Sequence, residues 1–505
     1  MILWYKKIVD LNKIKNKGRF LLHFGAVDQF TEVYINDIKV GEHDGGYTSF
    51  YFDITNYTKS DLSKTKIEVK VIDNYSKNGA AFGKQGIPRD YIFYTAIGGI
   101  WQTVWIESVP KAYIKDVKII PNYDNHSVSF LMEIDGDEQK NINGLVKILD
   151  SKGEKIINSS NIIPNVITNI IIDENFKNWS PEDPYLYKVE YKFGKDIVKA
   201  YFGMRKFSID IDKNNTKRLF LNNKPYFQKG VLDQGYWPDG YYTPPSDEAL
   251  KFDIITMKEL GFNMFRKHIK IETKRWYYHC DTIGMLVWQD QPSGGNYPFN
   301  YLDETIDIRD DKYDIYSRSS EEGRKNFIRD IIILIDQLYN FPCISTWVPF
   351  NEGWGQFDSL KIAQLIKNLD NTRFVDHASG FVDHGGPDFK SIHNYKGNFK
   401  LNSDEKNRPI VLSEYGGIGC AIENHISSNN LFSYSMNYDP NKLSQDIHNL
   451  ILNKLIPNIN KGLSASVYTQ LSDVEGEINV LLTYDRKVLK VDKNLIKRAN
   501  DLLTY

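Results

Sequence analysis

A chain of 505 residues exceeds what one hydrophobic core can organise, so its length predicts two to four domains. Its composition, 41% hydrophobic and 25% charged, is that of a globular protein. Its 63 Lys and Arg nearly balance 65 Asp and Glu, and the formal net charge of -2 argues against nucleic acid or an anionic membrane surface as partner. The three cysteines, Cys280, Cys343 and Cys420, have no paired spacing, which argues against a disulfide framework or a zinc site and for a reducing compartment. The opening MILWYKKIVDLNKIKNKG lacks the apolar core of a signal peptide, and no apolar run reaches membrane-spanning length. A cytoplasmic location is expected.

Residues 1–110 read as all-β. The runs RFLLHFGAV, TEVYIND and KIEVKVIDNY are strand-like, with short turns between them. Within this region, NDIKVGEHDGGYTSFYFDIT has Gly41, Gly45 and Gly46 for tight turns, while Phe50, Phe52 and Ile54 alternate toward a core. The stretch resembles the sugar-binding jelly roll of glycoside hydrolase family 2, which carries an N-G-x-x-x-G-x-H-x-G-G-Y run before D-I-T. Asp37 replaces the family's turn glycine, a departure that touches turn geometry only. GGIWQTVWIESVP, Gly98 to Pro110, resembles the strand that closes the same domain. The family's jelly roll has an opening stretch before the position held here by Trp4-Tyr5, so the resemblance implies a first domain truncated at its start and less stable for it.

Residues 111–206 predict a second β-sandwich, with AYIKDVKIIPN, SVSFLMEID and NGLVKILDSKG spaced as in immunoglobulin-like domains. No cysteine pair staples it, and no chemistry is visible in it.

From residue 207 to 505 the pattern becomes one of alternating strands and helices, which predicts a parallel sheet. Eight strand candidates follow in order: PYFQKGVLD, FNMFRKH, MLVWQDQ, ISTWVPFN, RFVDHAS, FKSIHNY, PIVLSEY and LSASVYTQ. Helical patterns lie between them, such as SDEALKFDIITMKELG with its Ser246 cap and Gly261 stop. The size and the strand number suit one (β/α)8 barrel. On this numbering Glu352 ends strand four and Glu414 ends strand seven. A lone glutamate after an apolar strand is most often a solvated loop residue. Two of them, each in a loop rich in glycine and aromatic residues, point instead to chemistry at the mouth of a barrel.

Paired carboxylates suit glycoside hydrolysis with retention, in which one attacks the anomeric carbon and the other protonates the leaving oxygen. The residues here resemble family 2 in detail. Its N-x-P-[SC]-I-x-x-W-x-x-x-N-E motif is matched by Asn340, Pro342, Cys343, Ile344, Trp347, Asn351 and Glu352, and its S/C-E-Y/F motif by Ser413, Glu414 and Tyr415. The resemblance implies that Glu352 is the acid/base, that Glu414 is the nucleophile and that Asn351 binds the sugar 2-hydroxyl. It further implies that Arg266 and Tyr395 support the nucleophile. His393, Trp237, Trp288, Trp354, Tyr468, Asp290, Asp376 and His377 stand at or near strand ends as candidates to touch sugar, the aromatic ones by stacking.

Several departures bear on specificity. Arg266-Lys267-His268-Ile269-Lys270 stands where many members have an x-x-H-Y-P run after the arginine. The N-x-K run of the family's β-glucuronidases and the Glu-x-His pair of its magnesium-using β-galactosidases have no match, so no metal or other cofactor is expected. The expected activity is that of a retaining exo-β-glycosidase, β-galactosidase-like, acting on an oligosaccharide or glycoside. The alternatives are a β-glucuronidase, a β-mannosidase, an arabinosidase, or a non-catalytic carbohydrate-binding protein. A homo-oligomer is compatible with all of these.

Overall fold

The computed structural model describes every residue except 59–60, 75–78, 90, 137–142, 295–310, 312, 314–317, 381, 396–398, 400, 402–404, 438 and 480. The chain divides into two compact units. One holds residues 1–75, 98–206 and 336–342; the other holds 76–97, 207–335 and 343–505.

The first unit contains two β-sandwiches. In the first, a sheet orders the strands Ile2–Val9, Thr65–Ile72, Phe30–Ile35 and Ile38–Asp44, and a second orders Val104–Val109, Arg19–Phe24 and Phe50–Asp53. Thr65–Ile72 alternates buried and half-buried along its whole length, the period of two that a strand facing one core requires. Phe20, Leu22, Phe24, Val33, Ile35, Val69 and Val71 meet in that core. The hairpin between Phe30–Ile35 and Ile38–Asp44 turns on Asn36 and Asp37, whose φ values are 50° and 73°. A two-residue hairpin loop needs both residues left-handed, and Asn and Asp tolerate this better than other side-chain-bearing residues. Asp37 in place of glycine is thereby accommodated.

The second sandwich pairs Tyr113–Asn122, Ser127–Asp135 and Thr168–Ile171 against Ile156–Ile162, Gly144–Leu149, Tyr187–Phe193 and Asp196–Phe202. Its core is a contiguous cluster that includes Val128, Phe130, Met132, Val146, Ile148, Val189, Tyr191 and Phe193. Burying a side chain such as Phe130 contributes about 2–3 kcal/mol, so the domain holds by packing where no disulfide is available. Residues 336–342 group with this unit because Asn340 donates to Val117 O at 2.7 Å and accepts from Ile119 N at 2.9 Å. The first residue of the strand-four motif thus belongs with the second sandwich's unit.

The second unit is the barrel. Its strands are β1 (Gln228–Asp233), β2 (Met264–Lys267), β3 (Leu286–Asp290), β4 (Ile344–Val348), β5 (Phe374–Val375), β6 (Lys390–Asn394), β7 (Ile410–Gly416) and β8 (Leu463–Thr469). All eight sequence-predicted strands are present. Every hydrogen-bonded neighbour pair is parallel, running from β5 through β4, β3, β2, β1, β8 and β7 to β6. Side chains bridge the remaining seam, where Ser391 Oγ donates to Asp376 Oδ2 at 2.8 Å.

Strands β3 and β4 are buried at every position, as a parallel sheet covered on both faces demands. Helix α1 (Asp247–Glu259) starts at Ser246, whose Oγ accepts from Ala249 N, and stops at Gly261 with φ +85°. Trp347 of the strand-four motif is pinned by its Nε1 donating to Asp370 Oδ2 at 2.9 Å, while Arg373 holds the same oxygen at 2.7 Å.

Candidate active site

The loop after β4 carries Glu352 on a left-handed backbone, with φ +53°, followed by Gly353 at +74°. Such a conformation costs a side-chain-bearing residue on the order of 1 kcal/mol or more and persists only where the surroundings impose it. Here Glu352 N donates to Ser379 O at 2.7 Å. Gly380, at φ +110°, packs against the result. A Cβ there would lie 3.3 Å from Glu352 Cγ and 3.4 Å from the His393 ring, so only glycine leaves both side chains in place.

Glu414 lies within β7 and is met by three groups from two other strands, β2 and β6. Arg266 Nη1, from β2, donates to Glu414 Oε1 at 3.1 Å. Tyr395, just past β6, donates its hydroxyl to Oε2. His393 Nε2 stands 3.6 Å from Oε1. Arg266 is fully buried, and its Nε and Nη2 donate to the two oxygens of Asp290 at 3.0 Å each. Nη2 also donates to Asn351 Oδ1 at 2.7 Å, and Nη1 to Ser413 O at 3.2 Å. One guanidinium therefore orients the strand-seven carboxylate and the strand-four amide together. With its oxygen engaged by Arg266, Asn351 keeps its NH2 to donate elsewhere.

Glu352 has a different partner. His393 Nδ1 lies 2.7 Å from Glu352 Oε1, and the Glu352 side chain is 26% exposed against 5% for Glu414. Burial pushes the Glu352 carboxyl up, but the hydrogen bond and charge of His393 outweigh it and hold the group below its ordinary value. The Tyr395 phenol is pushed well above its ordinary value, first by burial and then by the Glu414 charge, so it stays a donor.

The structure brings Glu352, Glu414, Asn351, Arg266, His393 and Tyr395 together. The other candidates lie deeper in the barrel's unit. Asp290 was expected to reach sugar hydroxyls, but both its oxygens are taken by Arg266, and His268 Nδ1 lies 2.9 Å from Oδ2. Its place is behind Arg266. Trp288 is 0% exposed inside the barrel, donating to Gln228 Oε1 at 2.7 Å. Trp237 is buried with the Arg486 guanidinium 4.2 Å from its ring centroid. Trp354 is wedged edge-on against Phe82 and Phe93, each at 5.5 Å. Tyr468 is buried against Tyr415. All four rings are buried. His377 is buried with Nε2 accepting from the backbone of His384 and Gly386, and Asp376 is buried beneath Ser391.

Sequence reasoning missed residues 76–97, which belong to the barrel's unit although they fall inside the first sandwich in sequence. Phe82 N and Gly83 N both donate to Ser293 O at 3.0 Å. The segment places the Lys84 ammonium 5.0 Å from the Phe93 ring and lets Tyr94 donate to Glu477. Lys84 lowers the carboxyls of Glu352 and Glu477 through space, although burial leaves Glu477 raised overall. Tyr434 stacks on Tyr395 with ring centroids 3.7 Å apart. Glu477 follows β8 and was open to recognition as another strand-end carboxylate; Lys84 carries no such signal.

A barrel in which glutamates from strands four and seven share one histidine while an arginine holds the second of them, preceded in sequence by two sandwiches, has the layout of a multidomain barrel glycosidase. Three models of the family match in sequence: the glycosyl hydrolases family 2 sugar binding domain over residues 2–110, glycosyl hydrolases family 2 over 112–205, and its TIM barrel domain over 213–460. The chain belongs to glycosyl hydrolase family 2. It is 26% identical over 388 residues to a beta-galactosidase of Thermoanaerobacter pseudethanolicus, covering 74% of this chain and 48% of that one. It is 26% identical over 407 residues to a beta-glucuronidase of Bacteroides fragilis, covering 74% and 54% respectively. The chain thus spans about half the length of these relatives. Among solved structures, the beta-D-glucuronidase of Dictyoglomus thermophilum shares the fold with a TM-score of 0.76 at 18% identity, over 99% of this chain and 90% of that one.

Proposed function

We propose that the chain is a retaining exo-β-glycosidase, β-galactosidase-like, with Glu414 as nucleophile and Glu352 as acid/base. The observation that carries this reading is the asymmetry of the two carboxylates around Arg266 and His393. Glu414 is held and aimed by a guanidinium and a phenol. It attacks the anomeric carbon as the bond to the leaving oxygen breaks, and Glu352 gives that oxygen its proton. Water then opens the glycosyl ester while Glu352 accepts the water's proton. The Asn351 NH2 donates to the sugar 2-hydroxyl, where a hydrogen bond strengthens in the transition state.

A neutral sugar is favoured because the Glu477 carboxyl answers the Lys84 charge beside the site. The second reading, a β-glucuronidase, is favoured by Lys84 itself, a cation able to meet a uronate carboxylate. No helix among the described residues is long and apolar enough to cross a membrane. The three cysteines are free and buried, as suits a reducing compartment, and we place the protein in the cytoplasm.

A panel of 4-nitrophenyl glycosides tests the reading. The β-D-galactoside is expected to show the highest kcat/KM. Preference for the β-D-glucuronide would favour the second reading, and turnover of no sugar in the panel would leave a carbohydrate-binding protein.

A further inference from the structure

His393 has a side chain only 1% exposed, and it stands between the two glutamates. Its Nδ1 is 2.7 Å from Glu352 Oε1 and its Nε2 is 3.6 Å from Glu414 Oε1. Nε2 also has Ser379 Oγ at 3.1 Å and Arg266 Nη1 at 3.5 Å. The two hydrogens of Arg266 Nη1 point to shorter contacts, with Ser413 O and Glu414 Oε1, and the Ser379 hydroxyl can accept from Nε2 in one tautomer or donate to it in the other. We propose that His393 is a positioning residue that holds the acid's proton against Glu352, and that its ring changes tautomer as Glu414 gains and loses its charge. The inference rests on the glycosidase reading above.

In the resting enzyme the anionic Glu414 favours a hydrogen on Nε2. A bare Nδ1 lone pair facing a carboxylate oxygen at 2.7 Å would be repelled, so a proton must lie between Nδ1 and Glu352 Oε1. The proton is shared, its pull toward Nδ1 holding the Glu352 carboxyl below its ordinary value, and it is the one the leaving oxygen receives. As it departs, the electron pair of the broken glycosidic bond stays with the leaving oxygen, and the sugar carbon bonds to Glu414. Glu414 is now a neutral ester and Glu352 an anion. The single ring proton therefore moves from Nε2 to Nδ1, where it donates to the Glu352 carboxylate. When water attacks, Glu352 takes one of its protons and Glu414 leaves as a carboxylate. The ring proton returns to Nε2, and the starting protonation is restored with nothing gained or lost.

The other charged groups facing the ring do not upset this balance. Arg266, from β2, is answered by Asp290 on β3, and Asp376, after β5, is raised by burial and bonded by Ser391. His268, near the end of β2, is held well below its ordinary value by burial and so stays neutral. Tyr395, beyond the ring on its own strand, keeps its proton. The two charges that change during turnover are those of Glu352 and Glu414, and the ring touches both.

The test is His393→Asn, whose amide can donate to Glu352 but holds no proton to give. With 2,4-dinitrophenyl glycosides, whose leaving group needs no acid, kcat/KM is expected to fall less than about tenfold, and with phenyl or methyl glycosides about 10²-fold or more. The basic limb of the kcat/KM profile, which reports the acid, is expected to shift by about one pH unit or more, because the acid's proton loses its second holder. Equal losses on both leaving groups with an unmoved basic limb would overturn the proposal and leave His393 a structural residue. Should the variant not fold, the wild type supplies the measurement. Nitrogen-15 NMR of the histidine rings is expected to show the His393 proton moving from Nε2 to Nδ1 when a 2-deoxy-2-fluoroglycoside traps Glu414 as its ester; an unchanged ring overturns the idea. If the wild type turns over no 4-nitrophenyl glycoside, it is the glycosidase reading that fails.

Discussion

Glu414 and Glu352 come from strands seven and four of one barrel, yet the two regions around them are built on different plans. Glu414 sits within a strand, and both its oxygens meet donors, Arg266 and Tyr395, themselves fixed by burial and hydrogen bonds. Glu352 stands beyond the end of its strand on a left-handed backbone, a quarter exposed, with one imidazole against one oxygen. A nucleophile gains from being immobile and anionic, because its reorganisation would add to the barrier. An acid/base group must exchange its proton with a leaving group and then with water, so it cannot be closed off. The difference teaches that two equivalent-looking strand-end glutamates can be suited to different chemistry by the groups packed around them.

The comparison breaks most visibly when either glutamate is removed. Glu414→Ala is expected to lower turnover on the order of 10⁴–10⁶-fold, the scale seen when a covalent nucleophile is lost. Glu352→Ala is expected to lose roughly 10²–10⁴-fold on poor leaving groups and far less on activated ones. Azide sharpens the contrast: it should give an α-glycosyl azide with the first variant and a β-glycosyl azide with the second. The same azide anomer from both would make the two regions equivalent.

Arg266→Met removes the group that joins the two regions. A loss on the order of 10²–10³-fold in kcat is expected, as for deletion of a charge-stabilising donor. Asp290 would also be left buried without the guanidinium, with His268 still beside it, and breaking such a pair costs about 3–5 kcal/mol, to be read from chemical denaturation. Unchanged stability would show that Asp290 does not depend on Arg266.

Tyr395→Phe probes the Glu414 side alone. Losing a hydrogen bond to a charged group costs about 1.5–3 kcal/mol, so kcat/KM should fall roughly 10–100-fold. Burial and the Glu414 charge push the phenol's pKa up, so it remains protonated through neutral and mildly alkaline pH. The ratio of wild type to variant should therefore be flat from about pH 5 to 9, since the phenol ordinarily titrates near 10. A ratio that shrinks toward pH 9 would mean that the wild-type phenol ionises there.

Where a site residue ends a locally apolar strand, it was legible in the sequence. The runs into Asn351-Glu352-Gly353 and Ser413-Glu414-Tyr415 placed both carboxylates, and eight such runs placed the barrel. Roles set by contacts between distant strands were less legible. Asp290 was visible as a strand-end carboxylate, but its engagement by Arg266 from the neighbouring strand was not. Trp288 has the composition of a stacking platform, and only the barrel's closure shows its ring turned inward to Gln228. Lys84 and Tyr94 were hidden altogether, because they enter the barrel's unit from the middle of a β-sandwich sequence.

The central claim, that Glu414 attacks carbon while Glu352 handles protons, is tested most directly by the anomer first released. A nucleophile and an acid/base acting in retention stand about 5–5.5 Å apart, whereas inversion needs about 6.5–9.5 Å to hold a water between them. Proton NMR of the sugar freed from a 4-nitrophenyl β-glycoside, read before mutarotation, is expected to show the β-anomer first. An initial α-anomer would mean that water, not Glu414, attacks the sugar, and would contradict the account.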